Sequence, residues 1–400
     1  MTIAPRPPVA LYVHVPFCVS ICPYCDFVVH GGAATRGPRN RLAAFVGALE
    51  TELGLRADAL DERWGRDRPA LRSMYLGGGT PSLLPTDDVA RLVDLVRGRF
   101  GLEPEAEVTI EVNPGPDERG DLEALRRAGV TRVSIGAQSL NPAELHRLGR
   151  RHGPSDVAET VAAARSAGIG SVSLDLLYDA PDSSLETWAA TLETALALEP
   201  DHLSLYALTL DDPDAEGITG PDGDHLPVRP GARRWRDRAR DGQDPDRAAA
   251  MYELADHRLR EAGFEWYEIS NWARPGHASR HNLVYWQRET YEAVGPGAHA
   301  FDGATRRWSA ARLDAYLEAL APAGGRPALP PGGSESMDPA TASAETAILG
   351  LRTAAGVAGD DLGTTLPWAL DAGLLEPMDG RYALTLRGRL LSNEVFARLL

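Results

Sequence analysis

Through the first 265 residues, short runs of aliphatic and β-branched side chains alternate with longer amphipathic stretches, the pattern of a parallel sheet wrapped by helices. The apolar runs predict six strands: Ala10–Val15, Ser73–Gly77, Glu107–Val112, Thr131–Gly136, Ser171–Leu177 and His202–Leu208, each ended by Gly, Pro, Asn or Asp. Between them Val89, Leu92, Val93 and Val96 fall at helical spacing in Asp88–Phe100, and Leu185, Trp188, Leu192 and Leu196 do so in Ser184–Leu198. An α/β fold follows, a partial (β/α)6 barrel of TIM type.

The alternation breaks between Asp211 and Asp246, where Pro, Gly, Asp and Arg predict a solvated loop or insertion. Regular structure returns with a helix over Arg247–Ala262 and a strand over Phe264–Ile269, and a Pro/Gly-rich linker follows over Ala321–Gly333. The tail predicts helices at Ala344–Thr353 and Leu366–Ala372, a hairpin turning at Asp379-Gly380 and a final helix over Val395–Leu400, a small α+β, winged-helix-like unit. Three regions are expected: a core over residues 1–245, a helix-and-strand region over 247–320, and the C-terminal unit over 334–400.

Charge and cysteine usage narrow the chemistry. Formal net charge is −16 and every basic residue is Arg, so the chain repels a phosphate backbone and a nucleic-acid partner is not expected, even for the winged-helix-like tail. No signal-peptide pattern opens the sequence, and no apolar run approaches the roughly 18 residues of a membrane span; a soluble cytoplasmic protein is expected. The three cysteines all fall between Cys18 and Cys25, an odd number that closes no disulfide framework and a clustering that points to shared ligation.

The segment LYVHVPFCVSICPYCDF spaces these cysteines as CxxxCxxC directly after the first strand. Three thiolates leave the fourth iron of a cubane without a protein ligand, open to a substrate. Zinc would want a fourth Cys or His, and His14 and His30 flank the motif. With Tyr24 before the last cysteine, the motif resembles that of the radical SAM superfamily. That resemblance implies a 4Fe–4S cluster on Cys18, Cys22 and Cys25, with S-adenosylmethionine (SAM) chelating the open iron and cleaved by one electron to a 5′-deoxyadenosyl radical.

Other elements stand at or near strand ends, where barrels present their chemistry. They are Gly77-Gly78-Gly79-Thr80, which would let backbone approach a ligand, Glu111 before Asn113-Pro114, Gln138 in IGAQS, Arg150 in LGRRH, and Asp175 in the apolar run VSLDLLY. Three of these have an ordinary structural alternative: a tight turn for the glycines, a capping or salt-bridged Glu for Glu111, and a solvated Arg for Arg150. Their order and spacing resemble the oxygen-independent coproporphyrinogen dehydrogenase branch, which also includes haem-binding chaperones, from about residue 8 to the C-terminus. The resemblance implies that Tyr12, Tyr24, Gly78, Gly79, Thr80, Glu111, Gln138, Arg150 and Asp175 contact SAM. One departure is Asp179 in DLLYDAP, where the branch usually has Gly.

Two features separate the activities within the branch. Decarboxylating enzymes typically carry another Cys two places after the last cluster cysteine, whereas this chain has Asp26 and then Phe27. HNLVYW, His281 to Trp286, matches an HNxxYW pattern associated with haem binding, implying haem contacts from His281, Tyr285 and Trp286. A hydrogen-bonded core histidine is the plain alternative for His281, and His299 in GPGAHAF receives no role. The expectation is a haem chaperone that delivers haem to acceptor proteins, the cluster and SAM serving folding, homodimer formation or haem release. The alternative is oxidative decarboxylation of coproporphyrinogen III. If SAM is cleaved, a flavodoxin- or ferredoxin-type electron donor is expected.

Overall fold

The computed structural model describes residues 4–210 and 219–400. Six parallel strands, β1 (Ala10–Val15), β2 (Leu71–Gly78), β3 (Leu102–Val112), β4 (Arg132–Gln138), β5 (Ser171–Tyr178) and β6 (His202–Ala207), lie side by side in chain order. Consecutive neighbours with helical crossovers are what right-handed βαβ connections generate. The amphipathic stretches form the outer layer. Val89, Leu92, Val93 and Val96 are buried on the helix Thr86–Arg99, and Ser184 caps Leu185–Ala197 by accepting from the Thr187 amide. Leu11, Val13 and Val15 join the same core as Phe45, Leu49 and Leu53 of the helix Leu42–Trp64.

β1 and β6 do not pair, so the barrel stays open and both edges are extended. The short strands β7 (Glu265–Glu268) and β8 (Asn271–Ala273) add antiparallel to β6. On the other side β9 (Tyr291–Val294) runs parallel to β1, followed by β10 (His299–Phe301), β11 (Thr305–Ser309) and β12 (Gly332–Ser336). Among the described residues the sheet thus has twelve strands. The added ones hold three to five residues each, too short for a period-two pattern to stand out.

Two expectations need correction. The stretch expected as a loop over 211–246 holds a helix, Pro230–Arg240, and supplies the start of Pro245–Glu261; residues 211–218 lie outside the described residues. Its polar composition hid a narrow stripe in which Trp235 and Ala239 pack with Tyr24, Leu177 and Leu208. The expected linker Ala321–Gly333 ends inside β12, whose glycines pass against the Trp308 backbone and ring, leaving no room for a Cβ.

The tail has its own small core of Leu351, Val357, Leu362, Leu374, Leu384 and Val395. β13 (Leu375–Met378) and β14 (Arg381–Leu384) form the hairpin, with both Asp379 and Gly380 at positive φ in its turn. Arg389 ties this unit to the main sheet: its buried guanidinium meets Asp256 at 2.8 Å and lies 4.3 Å over the Trp266 ring. Among the described residues, no helix is long and apolar enough to cross a membrane.

Candidate cluster and nucleotide site

β1 delivers the chain to Pro16 and buried Phe17, which packs edge-on against Phe45 at 5.2 Å. Beyond it the cysteine loop is pinched at its base, where Cys18 N donates to His30 O at 3.0 Å and His30 N to Pro16 O at 2.6 Å. Cys18, Cys22 and Cys25 are half-buried and unpaired. Burial pushes the Cys18 thiol up to about 11 and the Cys25 thiol up to about 12, so without iron both are neutral. A ligating metal has to displace their protons. Among the described residues no three His, Cys, Asp or Glu side chains converge on the position of a single ion; in a cubane each thiolate binds a different iron.

Behind the loop, polar groups form a connected chain. Thr80 Oγ1 lies 3.7 Å from Cys18 Sγ and accepts from Asn113 Nδ2 at 2.9 Å, while Asn113 Oδ1 accepts from Arg150 Nη2 at 2.6 Å. Arg150 Nη1 then approaches Cys22 Sγ at 3.5 Å, and Nη2 also donates to Gly136 O. Arg150 Nε is buried without an acceptor. A cleft lined by Ser20, Cys22, Asn113, Glu118 and Arg150 opens here. Asn113 is the centre of this chain, and its position directly after strand three was the available signal.

Two of the three glycines, Gly78 and Gly79, are also required by close packing. They let chain approach chain. A Cβ on Gly79 would lie 2.6 Å from Phe17 O, and one on Gly78, at φ +110°, would lie 2.4 Å from the His14 ring. β2 therefore closes against β1 just where the cysteine loop begins.

Inside the half-barrel, Glu111 accepts from Gly78 N at 2.8 Å and from Tyr75 OH at 2.9 Å. Burial, with nearby Asp175 adding repulsion, raises its carboxyl to about 7. Asp175 accepts from Ser134 Oγ at 3.0 Å, and burial raises it as well despite serine hydroxyls and Arg132. Gln138 sits at φ +65°, a strained position for a non-glycine residue, at a register shift between β4 and β5. The Tyr12 hydroxyl is engaged with His14 Nδ1 at 3.0 Å, and His14 Nε2 meets Val28 O at 2.7 Å. Burial lowers His14 to about 4, so it is neutral, accepting from Tyr12 and donating to Val28. Asp179, the departure noted above, has φ +55°. That conformation explains a glycine there, and Asp tolerates it while its carboxylate pairs with Arg247.

The helix Pro230–Arg240, unforeseen from sequence, lies over the cysteine loop. Trp235 packs 6.4 Å from the Tyr24 ring, and Arg236 donates to Tyr24 O at 2.8 Å and pairs with Asp26. Phe27 stays 65% exposed, so no core contact fixes its identity.

HNLVYW opens and fills a short helix, Arg280–Trp286, capped by Ser279, with the Glu107 carboxylate accepting from the Arg280 and His281 amides. His281 is buried beneath β2. Its Nδ1 meets Ser73 Oγ and its Nε2 the Tyr285 hydroxyl, each at 2.9 Å, and burial lowers it to about 3. Trp286 carries the Arg352 guanidinium on its face at 4.5 Å. His299 pairs with Asp224 at 2.9 Å and stacks on Trp308.

Fold and thiol loop together define a cluster-binding half-barrel of the radical SAM class, and residues 12–195 match the model of that superfamily. The chain is 38% identical to the heme chaperone HemW of Mycobacterium tuberculosis, over 100% of this chain and 97% of the relative. It is 36% identical to heme chaperone HemW of Escherichia coli over 73% of this chain and 70% of that protein. It belongs to the HemW haem-chaperone family of the radical SAM superfamily. Among solved structures it resembles the Escherichia coli coproporphyrinogen III oxidase HemN, a radical SAM enzyme, with a TM-score of 0.77 at 22% identity over 99% of this chain and 91% of that one; this likeness is one of fold.

Membership implies a 4Fe–4S cluster and SAM. The residues present fit both: three unpaired thiols share one loop, with a hydroxyl beside one sulfur and a guanidinium beside another, and a buried N–H of that guanidinium lacks an acceptor. When bound, the cluster would offer an open iron to the amino and carboxylate groups of SAM, from which an electron could pass to its sulfonium. What the chain itself contributes is the positive charge of Arg150 and the Thr80 hydroxyl beside the sulfurs, and the cover of Trp235 over the loop.

Proposed function

We propose that this chain binds haem and passes it to acceptor proteins, using the half-barrel to hold one 4Fe–4S cluster with exchangeable SAM. The observation that carries this reading is Phe27. It stands exposed beside the cluster loop, where the decarboxylating branch has a thiol, in a chain whose full-length relatives are haem chaperones. Residues 1–245 carry the cluster and SAM, 247–320 the haem-binding HNLVYW segment, and 334–400 a packing unit. SAM lies against Tyr12, Tyr24, Gly78, Gly79, Thr80, Glu111, Gln138, Arg150 and Asp175, and the ring faces of His281, Tyr285 and Trp286 belong to the haem-binding region. The cytoplasm, a homodimer and a flavodoxin- or ferredoxin-type donor are part of the same proposal.

The test is anaerobic. Reconstituted protein with SAM and reductant is given coproporphyrinogen III, and separately titrated with haem. A Soret shift on stoichiometric haem binding, weakened in His281→Ala, with no protoporphyrinogen formed, supports the reading. Turnover of coproporphyrinogen would establish the dehydrogenase instead.

A further inference from the structure

A second cavity opens at the end of the sheet opposite the cysteines. Pro8, just before β1, Tyr291 at the start of β9, and the last turn of the helix Leu42–Trp64 line it. Its volume is about 420 Å3, within the roughly 300–1,000 Å3 of small-molecule sites. Trp64, Tyr291 and Phe301 give it aromatic walls, and Arg6, Arg63 and Arg307 bring guanidinium groups to it. Two of these are partly neutralised, Arg63 by Asp302 at 3.1 Å and Arg307 by Glu292. Yet Arg307 Nη1 is buried without an acceptor, and the exposed Arg6 guanidinium has no hydrogen bond or ion pair among the described residues. Flat apolar walls with unspent guanidinium donors suit a planar aromatic ligand that carries carboxylates.

The HNLVYW helix backs this cavity through stacked rings. His281 meets Tyr285 edge-on at 5.2 Å, Tyr285 meets Tyr291 edge-on at 4.7 Å, and Tyr291 lies 6.3 Å from Phe301. With both its nitrogens engaged, His281 can act on the cavity by fixing Tyr285, and through it the Tyr291 wall. We infer that this cavity is where the macrocycle sits, a tetrapyrrole dicarboxylate held between Trp64, Tyr291 and Phe301 with its carboxylates on Arg6 and Arg307, and His281 positioning the wall. The inference rests on the haem-binding reading and locates its site.

Ferric haem and its dimethyl ester, in which the carboxylates are blocked, serve as probes of the full-length reconstituted protein. Arg6→Gln and Trp64→Leu are the variants; the Arg6 side chain is exposed, so its replacement leaves the fold intact, as iron content and far-UV circular dichroism check. Each variant should bind haem about tenfold more weakly, the ester should lose a similar factor on the wild type, and Arg6→Gln should narrow the gap between haem and ester. Variants that bind haem as the wild type does, while His281→Ala loses it, overturn this site and leave the haem reading standing. A wild type that binds no haem overturns both.

Discussion

Glu111 gives the sharpest handle on the nucleotide site. Its carboxyl, moved by burial from 4.5 to about 7, carries at 1.36 kcal/mol per pH unit an ionisation cost of about 3 kcal/mol. The sign follows from linkage. Between pH 4.5 and 7 the folded chain holds a proton that the unfolded chain has released, so this group's contribution to stability is greatest below pH 4.5 and is lost as pH rises through 7. In the proposed placement of SAM its ribose hydroxyls donate to the Glu111 carboxylate, so SAM binding would draw on that ionisation. About one tenth of Glu111 is ionised at pH 6 and about nine tenths at pH 8, which predicts roughly tenfold tighter SAM binding at pH 8. Glu111→Gln should bind SAM some 10- to 100-fold more weakly at pH 8, the loss of a hydrogen bond to a charged acceptor, and should lose this part of the pH dependence. Anaerobic calorimetric titration of both proteins measures it. The readout is the difference between the two profiles, because the SAM amino group titrates in both. Parallel profiles would refute the assignment of Glu111.

Three further perturbations bear on the frame. Gly78→Ala and Gly79→Ala should each destabilise the protein by at least about 1–3 kcal/mol in denaturant titration and lower cluster occupancy, since β2 could no longer close on Phe17 and His14; wild-type iron content in both would count against that packing. Arg389→Ala should cost up to about 3–5 kcal/mol by removing one partner of buried Asp256, which keeps Arg260 and Trp272, with Arg389→Met losing less; a cost below about 1 kcal/mol would mean that this ion pair does not hold the C-terminal unit in place. Asp179→Gly should be nearly neutral, because relief of a positive φ offsets the lost ion pair, whereas Arg247→Gln strands a buried carboxylate and should destabilise more; the reverse order in thermal melts would contradict this reading of Asp179.

The half-barrel was legible because its strands are long enough to show as apolar runs and its helices long enough to show a 3.6-residue stripe. Observed bounds differ from the expected ones by a few residues, mainly at β3, whose start is exposed at Glu103, Pro104 and Glu105 and breaks the apolar run. The edge strands β7 to β12 and the helix Pro230–Arg240 were mostly illegible: the strands are short, and a helix with five arginines among its eleven residues reads as solvated until Tyr24 is seen beneath Trp235. At the site, the cysteines were readable from spacing alone, whereas the roles of Asn113, Tyr75 and His14 depend on contacts between strands that no linear motif encodes. The glycines were found for a sound reason, backbone approach, and in the structure the His14 ring approaches Gly78 and the Phe17 backbone approaches Gly79.

Electron paramagnetic resonance of the anaerobically reconstituted, reduced protein, recorded before and after SAM, reaches the coordination chemistry directly. A cubane signal that changes on adding SAM, and that disappears in Cys18→Ala, Cys22→Ala and Cys25→Ala, is the result predicted for three thiolates and one open iron. A signal indifferent to SAM, or protein holding zinc in place of iron and sulfide, would contradict it.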